Sequence, residues 1–181
     1  PFGHEFSGDV HEVGEGVTKF KVGDQIMTAP SAPCGDCVYC NKDQENLCAR
    51  VMDEMVWGAF AEYVRMPAHI VDNNMFTKPD HLSYEEAAML EPLSCVVYGM
   101  DQVVVKTDDT VLIIGAGAIG LLHVLVARAL GAERIVVAGR RENRLKLAWV
   151  IGADAVIDVE KESTFDRIKE LTGGLGADIV I

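Results

Sequence analysis

The sequence predicts two parts in series: a β-rich part to about residue 80, and from about residue 110 an α/β part built on a doubly wound parallel sheet. Three observations lead there. Residues 5–29, "EFSGDVHEVGEGVTKFKVGDQIMTA", alternate short β-type runs with Gly and Asp turn signals at 14–16 and 22–24. From Thr110 onward, apolar strand-like runs alternate with amphipathic helical stretches, the pattern of right-handed βαβ units. Between these regions four cysteines crowd into residues 34–48, too local for a framework that staples a whole chain.

Taken in order, the cysteine loop interrupts the β-rich part, and "GAFAEYVRMP" at 58–67 is expected to resume it as a strand. At Ser83 the pattern changes. Glu85 and Glu86 follow it as in a capping box, and "SYEEAAMLEPLSCVVYGMDQV" reads as helix with Pro92 as a break or kink. This gives domains at 1–80 and 110–181 joined by a helical connector over 81–109. In the second domain "TVLIIG", "RIVVAG", "AVIDV" and "ADIVI" are strands. "AIGLLHVLVARALGA", "ENRLKLAWVIGA" and "STFDRIKELTGG" are the helices between them. No internal repeat or low-complexity tract occurs.

Composition narrows the function classes. The chain has 181 residues, 49% hydrophobic and 24% charged, enough to bury a substantial core. Its formal net charge of −12 repels phosphate backbones and argues against a nucleic-acid partner. No long uninterrupted apolar run reads as a membrane span, and no secretory signal opens the chain. Clustered cysteines suit a metal site in a reducing compartment, so a cytoplasmic location is expected. The sequence opens on "PFGHEFSG", already patterned, and closes on the apolar "GADIVI", so both ends read as cut from something longer.

Cys34, Cys37, Cys40 and Cys48 are spaced C-x2-C-x2-C-x7-C. Two-residue gaps turn consecutive thiolates onto one ion and a loop returns the fourth, completing a closed tetrahedral zinc shell that supplies structure rather than catalysis. Disulfides would be cramped at these separations, and iron–sulfur ligation usually uses another fourth spacing.

"GAGAIG", Gly115 to Gly120, follows a strand and opens a helix, the context in which a Gly-x-Gly-x-x-Gly pattern reads as dinucleotide binding. Gly115 permits the tight turn, Gly117 lets backbone approach a pyrophosphate, and Gly120 lets helix and strand pack closely. The carboxylate that would hold an NAD ribose about twenty residues on is absent. The next strand ends at Gly139 and is followed by Arg140 and Arg141, which suit a 2′-phosphate and favour NADP over NAD. Glu142 stands beside them as an alternative ribose acceptor, and a solvated arginine pair is the simplest alternative. "GHE" places His4 beside Glu5, a donor pair that gains weight only from company.

Together "GHEFSGDVHEVGEGVTKFKVGD", the four-cysteine loop, "FAEYV", "LEPLSC" and "GAGAIG" resemble the zinc-dependent medium-chain alcohol and polyol dehydrogenases, in the family's order and over nearly the whole chain. "EPLSC" is similar to the sorbitol (L-iditol) and threonine dehydrogenase branch. The resemblance implies a GroES-like catalytic domain, then a Rossmann domain, with the active site in the cleft between them. It implies that His4, Glu5 and Glu91 belong to a catalytic zinc site, directly or through water. It assigns Cys34, Cys37, Cys40 and Cys48 to a structural zinc, and Gly115, Gly117, Ile119 and Gly120 to the cofactor phosphates. Arg144 matches an arginine at the cofactor's adenosine end, and Gly139 replaces the usual ribose-binding Asp. The implied reaction passes hydride from a zinc-held secondary alcohol or polyol to NAD or NADP, in a homodimer or homotetramer. A further zinc ligand, a Cys, and a Ser/Thr proton relay would lie upstream of Gly3, so the segment alone is expected to be inactive. Two other readings stand beside this one: a quinone reductase-like relative with structural zinc only, and a non-catalytic zinc-stabilised binding module. Cys95 is expected in the core. His11, His69, His81 and His123 lack ligand-like company, and the seven methionines read as packing.

Overall fold

A computed structural model describes residues 1–181. The chain divides into two compact units, Pro1–Pro92 and Leu93–Ile181, so the division falls inside the stretch read as a connector.

The first unit is built on a three-stranded antiparallel sheet. Strands β1 (Phe6–Asp9), β2 (Gln25–Thr28) and β3 (Met75–Thr77) lie in the order β1-β2-β3. Helix α1 (Ala68–Asn74) leads directly into β3, and Ile70 and Val71 are its buried residues. Phe20, Ile26, Val71 and Met75 form one small core, and Ala32, Val56 and Ile70 a second. Residues 58–67, expected as a strand, are irregular. A strand needs a neighbour that accepts its N–H groups in register. Here the N–H groups of Gly58 and Ala59 both go to the one carbonyl of Gly3, at 3.0 and 3.1 Å, so no ladder starts.

Helix α2 (Tyr84–Ala88) carries the capping box the sequence promised: Ser83 Oγ accepts from the Glu86 N–H while the Glu86 carboxylate accepts from the Ser83 N–H. The helical stretch breaks at Met89, before Pro92 rather than at it, and resumes as α3 (Leu90–Asp101). Pro92 sits in the first turn of α3, where its missing N–H has no intrahelical partner to lose. Cys95, expected in the core, is exposed. Helix α3 buries Pro92, Val96 and Met100, a stripe at four-residue spacing that leaves Cys95 outside it.

The second unit is a four-stranded parallel sheet. Strands β4 (Thr110–Ile114), β5 (Arg134–Gly139), β6 (Ala155–Asp158) and β7 (Ile179–Val180) lie in the order β6-β5-β4-β7. Helices α4 (Ala118–Ala129), α5 (Glu142–Val150) and α6 (Thr164–Leu171) make the crossovers. Alternate strand residues face opposite layers. Val111, Ile113, Ile135 and Val137 pack with Val124 and Ala127 of α4, Leu145 and Ala148 of α5, and Val96 and Met100 of α3. Leu112, Val136, Ala138 and Ile157 pack on the other face against Ile168 of α6. This is the doubly wound sheet read from the sequence. No helix is long and apolar enough to cross a membrane.

Because Ile135 is fully buried at the centre of the first layer, Ile135→Ala should lower stability by about 2–5 kcal/mol, the usual cost of that deletion in a packed core. Urea unfolding followed by circular dichroism measures it, and a loss under about 1 kcal/mol would contradict this packing.

Candidate metal centres and dinucleotide turn

The cysteine loop is held by two short 3-10 turns, Cys40–Lys42 and Glu45–Leu47. Between them Asp43 adopts a left-handed conformation (φ 57°), which reverses the chain and brings Cys48 back to the others. The sulfur atoms of Cys34, Cys37, Cys40 and Cys48 all lie within 4.8 Å of one another. Cys34 and Cys37 stand 3.8 and 3.5 Å from Cys40, sulfur to sulfur. A tetrahedron of thiolates around zinc has edges of about 3.8 Å, so the donor set fits that ion. The Cys34 N–H donates to Cys48 Sγ at 3.3 Å.

The proton affinities of the four thiols diverge. Backbone N–H groups, first that of Cys40, bring Cys37 down to about 6. The Cys34 N–H lowers Cys48. Burial pushes Cys40 up to about 12, and hydrogen bonding with Asp36 raises Cys34. Thiolates this close cannot all ionise unless a cation shares their space. Beyond the sulfurs, Arg50 reaches both Asp36 and Glu54, and the other Glu54 oxygen lies 3.6 Å from His69 Nε2. That nitrogen is buried without a hydrogen bond, so His69 has company the sequence did not disclose.

A second donor group forms from His4, Glu5 and Glu91, whose ligand atoms also lie within 4.8 Å of one another. His4 Nε2 is 3.9 Å from Glu91 Oε1. The chain enters this group through Gly3, whose φ of +88° favours glycine and whose Cβ position is taken by the Phe60 ring at 2.7 Å. Glu91 stands at the start of α3 with its side chain only 16% exposed. Burial pushes its carboxyl up, the nearby His4 draws it down, and Glu5 adds to the rise. Trp57 stands edge-on to the His4 ring, centroids 5.4 Å apart at 71°. Sequence reasoning missed Trp57, because a contact between positions so far apart leaves no local signal. One imidazole and two carboxylates are a hard-to-borderline donor set that suits zinc and leaves room for a further ligand.

The glycine turn joins β4 to α4. Gly115 has a φ of +121° and its N–H is bound by the Ala138 carbonyl at 2.8 Å. Gly117 caps α4 with no side-chain partner and has open space where a Cβ would stand. At Gly120 a Cβ would meet the Gly115 carbonyl oxygen at 1.8 Å, so only glycine lets helix and turn approach this closely. Ile119 is half exposed on the first turn of the helix. The unsatisfied N–H groups of that turn suit an anionic phosphate, and the turn therefore fits a dinucleotide. Gly139 ends β5 beside it, where a Cβ would lie 3.0 Å from the Ala116 Cβ. Arg140, Arg141 and Arg144 follow, all exposed. Glu142, the alternative ribose acceptor, is bound by Lys146 at 2.7 Å.

Residues 1–75 match the alcohol dehydrogenase GroES-like domain, and residues 118–181 match the zinc-binding dehydrogenase domain. The chain is 36% identical over 180 residues to sorbitol dehydrogenase of Bacillus subtilis, covering 98% of this chain and 50% of that protein. It is 40% identical over 183 residues to D-arabitol-phosphate dehydrogenase of Enterococcus avium, covering 98% and 51%. The alcohol dehydrogenase structure of Thermus sp. ATN1 superposes with a TM-score of 0.86 at 36% identity, over 99% of this chain and 53% of that one. The chain spans about half the length of the curated relatives it matches. With two domain matches in family order, a Rossmann-type sheet and relatives of one kind along its length, the chain belongs to the zinc-binding alcohol dehydrogenase family.

Proposed function

We propose that the chain is the metal-binding and dinucleotide-binding portion of a zinc-dependent dehydrogenase that moves hydride between a secondary alcohol of the polyol class and a nicotinamide dinucleotide. The observation that carries this is the convergence of His4, Glu5 and Glu91 in a chain that also holds the open Gly117 turn. The polyol class is supported by the similarity to sorbitol and arabitol-phosphate dehydrogenases. The enzyme would work in a reducing cytoplasm, as a homodimer or homotetramer, on a small-molecule substrate and without nucleic acid or membrane.

His4, Glu5 and Glu91 would hold the catalytic zinc, and the four cysteines the structural one. A bound zinc would act there as a Lewis acid that makes an alcohol oxygen more acidic. The remaining work falls to the chain itself. Trp57 packs edge-on against His4 and limits the rotation of its ring, which keeps a ring nitrogen aimed at the donor group. Glu91, largely screened from water, supplies a carboxylate whose charge a cation would stabilise. The Gly115–Gly120 turn would bind the pyrophosphate through backbone N–H groups and so fix the hydride acceptor. A relative with structural zinc alone would have no use for the triad, and this weighs against the quinone reductase-like reading.

Metal content of the full-length enzyme tests the assignment. It should hold about two zinc ions per chain, one for each donor group. His4→Ala should remove one of them and lower kcat/KM for polyol oxidation by on the order of 10³-fold, since metal polarisation supplies several kcal/mol. A variant that keeps both ions, or an unaltered enzyme with only one, would refute the catalytic role given to His4. Cys48→Ser should remove the other ion and lower Tm by several degrees, because a structural site contributes folding energy. An unchanged Tm with full zinc content would leave the four-cysteine assignment without support.

A further inference from the structure

The four-cysteine loop is closed by charge as well as by sulfur. Asp36 lies two residues past Cys34, and Arg50 lies two residues past Cys48. Arg50 Nη2 binds Asp36 Oδ1, so one ion pair joins the two ends of the loop. The same guanidinium hydrogen-bonds with Cys34, and that contact, ahead of the Asp36 charge, raises its hold on its proton. Its Nε lies 3.6 Å from Glu54 Oε1, and Glu54 Oε2 lies 3.6 Å from His69 Nε2 on α1. Arg50 is thus engaged with one of the four cysteines, with the start of the loop and with the carboxylate that leads to α1.

The side chains of Arg50 and Asp36 are 46% and 68% exposed, and an ion pair so wet contributes little to stability by itself. What it faces changes its value. Four thiolates outweigh the charge of one zinc ion by two. N–H donors and cations at the rim of the site must offset that excess for the metal to be held. The loop itself makes the excess worse. Residues 34–54 hold five Asp and Glu side chains against two basic ones, Lys42 and Arg50. Asp36 stands against Cys34 and opposes its ionisation. Arg50 is the cation placed to answer both the carboxylate and the sulfur. Asp36 takes Nη2 while Glu54 faces Nε, so two different nitrogens of one planar group are engaged.

We propose that Arg50 is the positioning residue of the four-cysteine site: it clasps the loop shut through Asp36 and offsets the negative charge of the metal-bound sulfurs, and so sets how slowly the metal leaves. This rests on the reading of the loop as a zinc site. Glu54, facing His69 on α1, keeps the guanidinium turned toward the loop. Asn41 adds a second tie across the same turn, its side-chain amide donating to the Asp36 carbonyl at 3.2 Å. A lysine in place of Arg50 would keep the charge and lose the planar fork that reaches two carboxylates.

The test is the rate at which the full-length enzyme gives up zinc to a chromophoric chelator added in excess. Cys48→Ser identifies the phase that belongs to the loop, because that variant should lack it. In Arg50→Gln the loop phase should run at least about tenfold faster, the usual scale for a residue that supports metal ligands without touching the metal. Arg50→Lys should recover part of the slow release, because the charge survives. Lys21→Gln removes an exposed ion pair outside the loop, with Asp24. It should leave the loop phase within about twofold, which separates a hold on the metal from a general loss of stability. A smaller acceleration in Arg50→Gln, an equal one in Lys21→Gln, or no recovery in Arg50→Lys overturns the proposal and leaves the zinc site standing. Release kinetics that Cys48→Ser does not alter overturn the zinc reading and the proposal together.

Discussion

The second unit depends on one close approach. The carbonyl oxygen of Gly115 occupies the space in which any side chain at position 120 would begin. Helix α4 can therefore lie hard against the end of β4, and its first turn points its free N–H groups outward above the turn. The same approach seats Val124 and Ala127 in the layer formed by Val111, Ile113, Ile135 and Val137. A methyl group at this one position would separate helix from sheet, loosening the core layer and the glycine turn at once. Core packing and the geometry of the turn share the constraint.

The first unit has no comparable core. Its sheet is three short strands and its buried clusters are small. A fold of this kind needs local ties. The capping box at Ser83, the Tyr84 hydroxyl bound to Asp9, and the Ser7 hydroxyl bound to the Tyr84 carbonyl attach α2 to β1. Lys78, almost fully buried, gives its ammonium protons to the carbonyls of Pro79 and Leu82 and so closes the turn before α2. The four-cysteine loop has little apolar content to hold it, which is the circumstance in which a metal ion contributes most to order.

What could be read from the sequence follows from how far apart the interacting residues lie. The cysteine spacing, the glycine turn and the βαβ rhythm are local patterns, and the structure reproduces each, with the three crossover helices ending three residues short of the stretches read as helical. The meeting of His4 with Glu91 is not local, and only the resemblance to a family brought the two together. Residues 58–67 failed for a related reason. Their alternating pattern is that of a strand, but a strand exists only through its partner, and the Gly3 carbonyl takes two of their N–H groups instead. Cys95 failed because the apolar run around it is longer than the stripe α3 buries, and composition alone does not say which face of the helix turns inward. Trp57 left no trace at all, since nothing near it in sequence marks it as a neighbour of His4.

Charge ties the sites together. A few carboxylates of this acidic protein are matched by a cation three or four residues away, as at Lys21–Asp24, Glu142–Lys146, Asp158–Lys161 and Arg167–Glu170. Such pairs contribute little to stability individually. Three other groups of titratable or charged side chains stand apart from these pairs. Four thiols of divergent proton affinity share a space fit for one ion. Two carboxylates meet at a histidine with the inner one largely screened from water. Three arginines gather at the wrong end of a helix with no partner. A chain under selection for stability alone would pair or disperse these groups, because like charges held close together cost free energy. Each becomes favourable when a charge of opposite sign arrives.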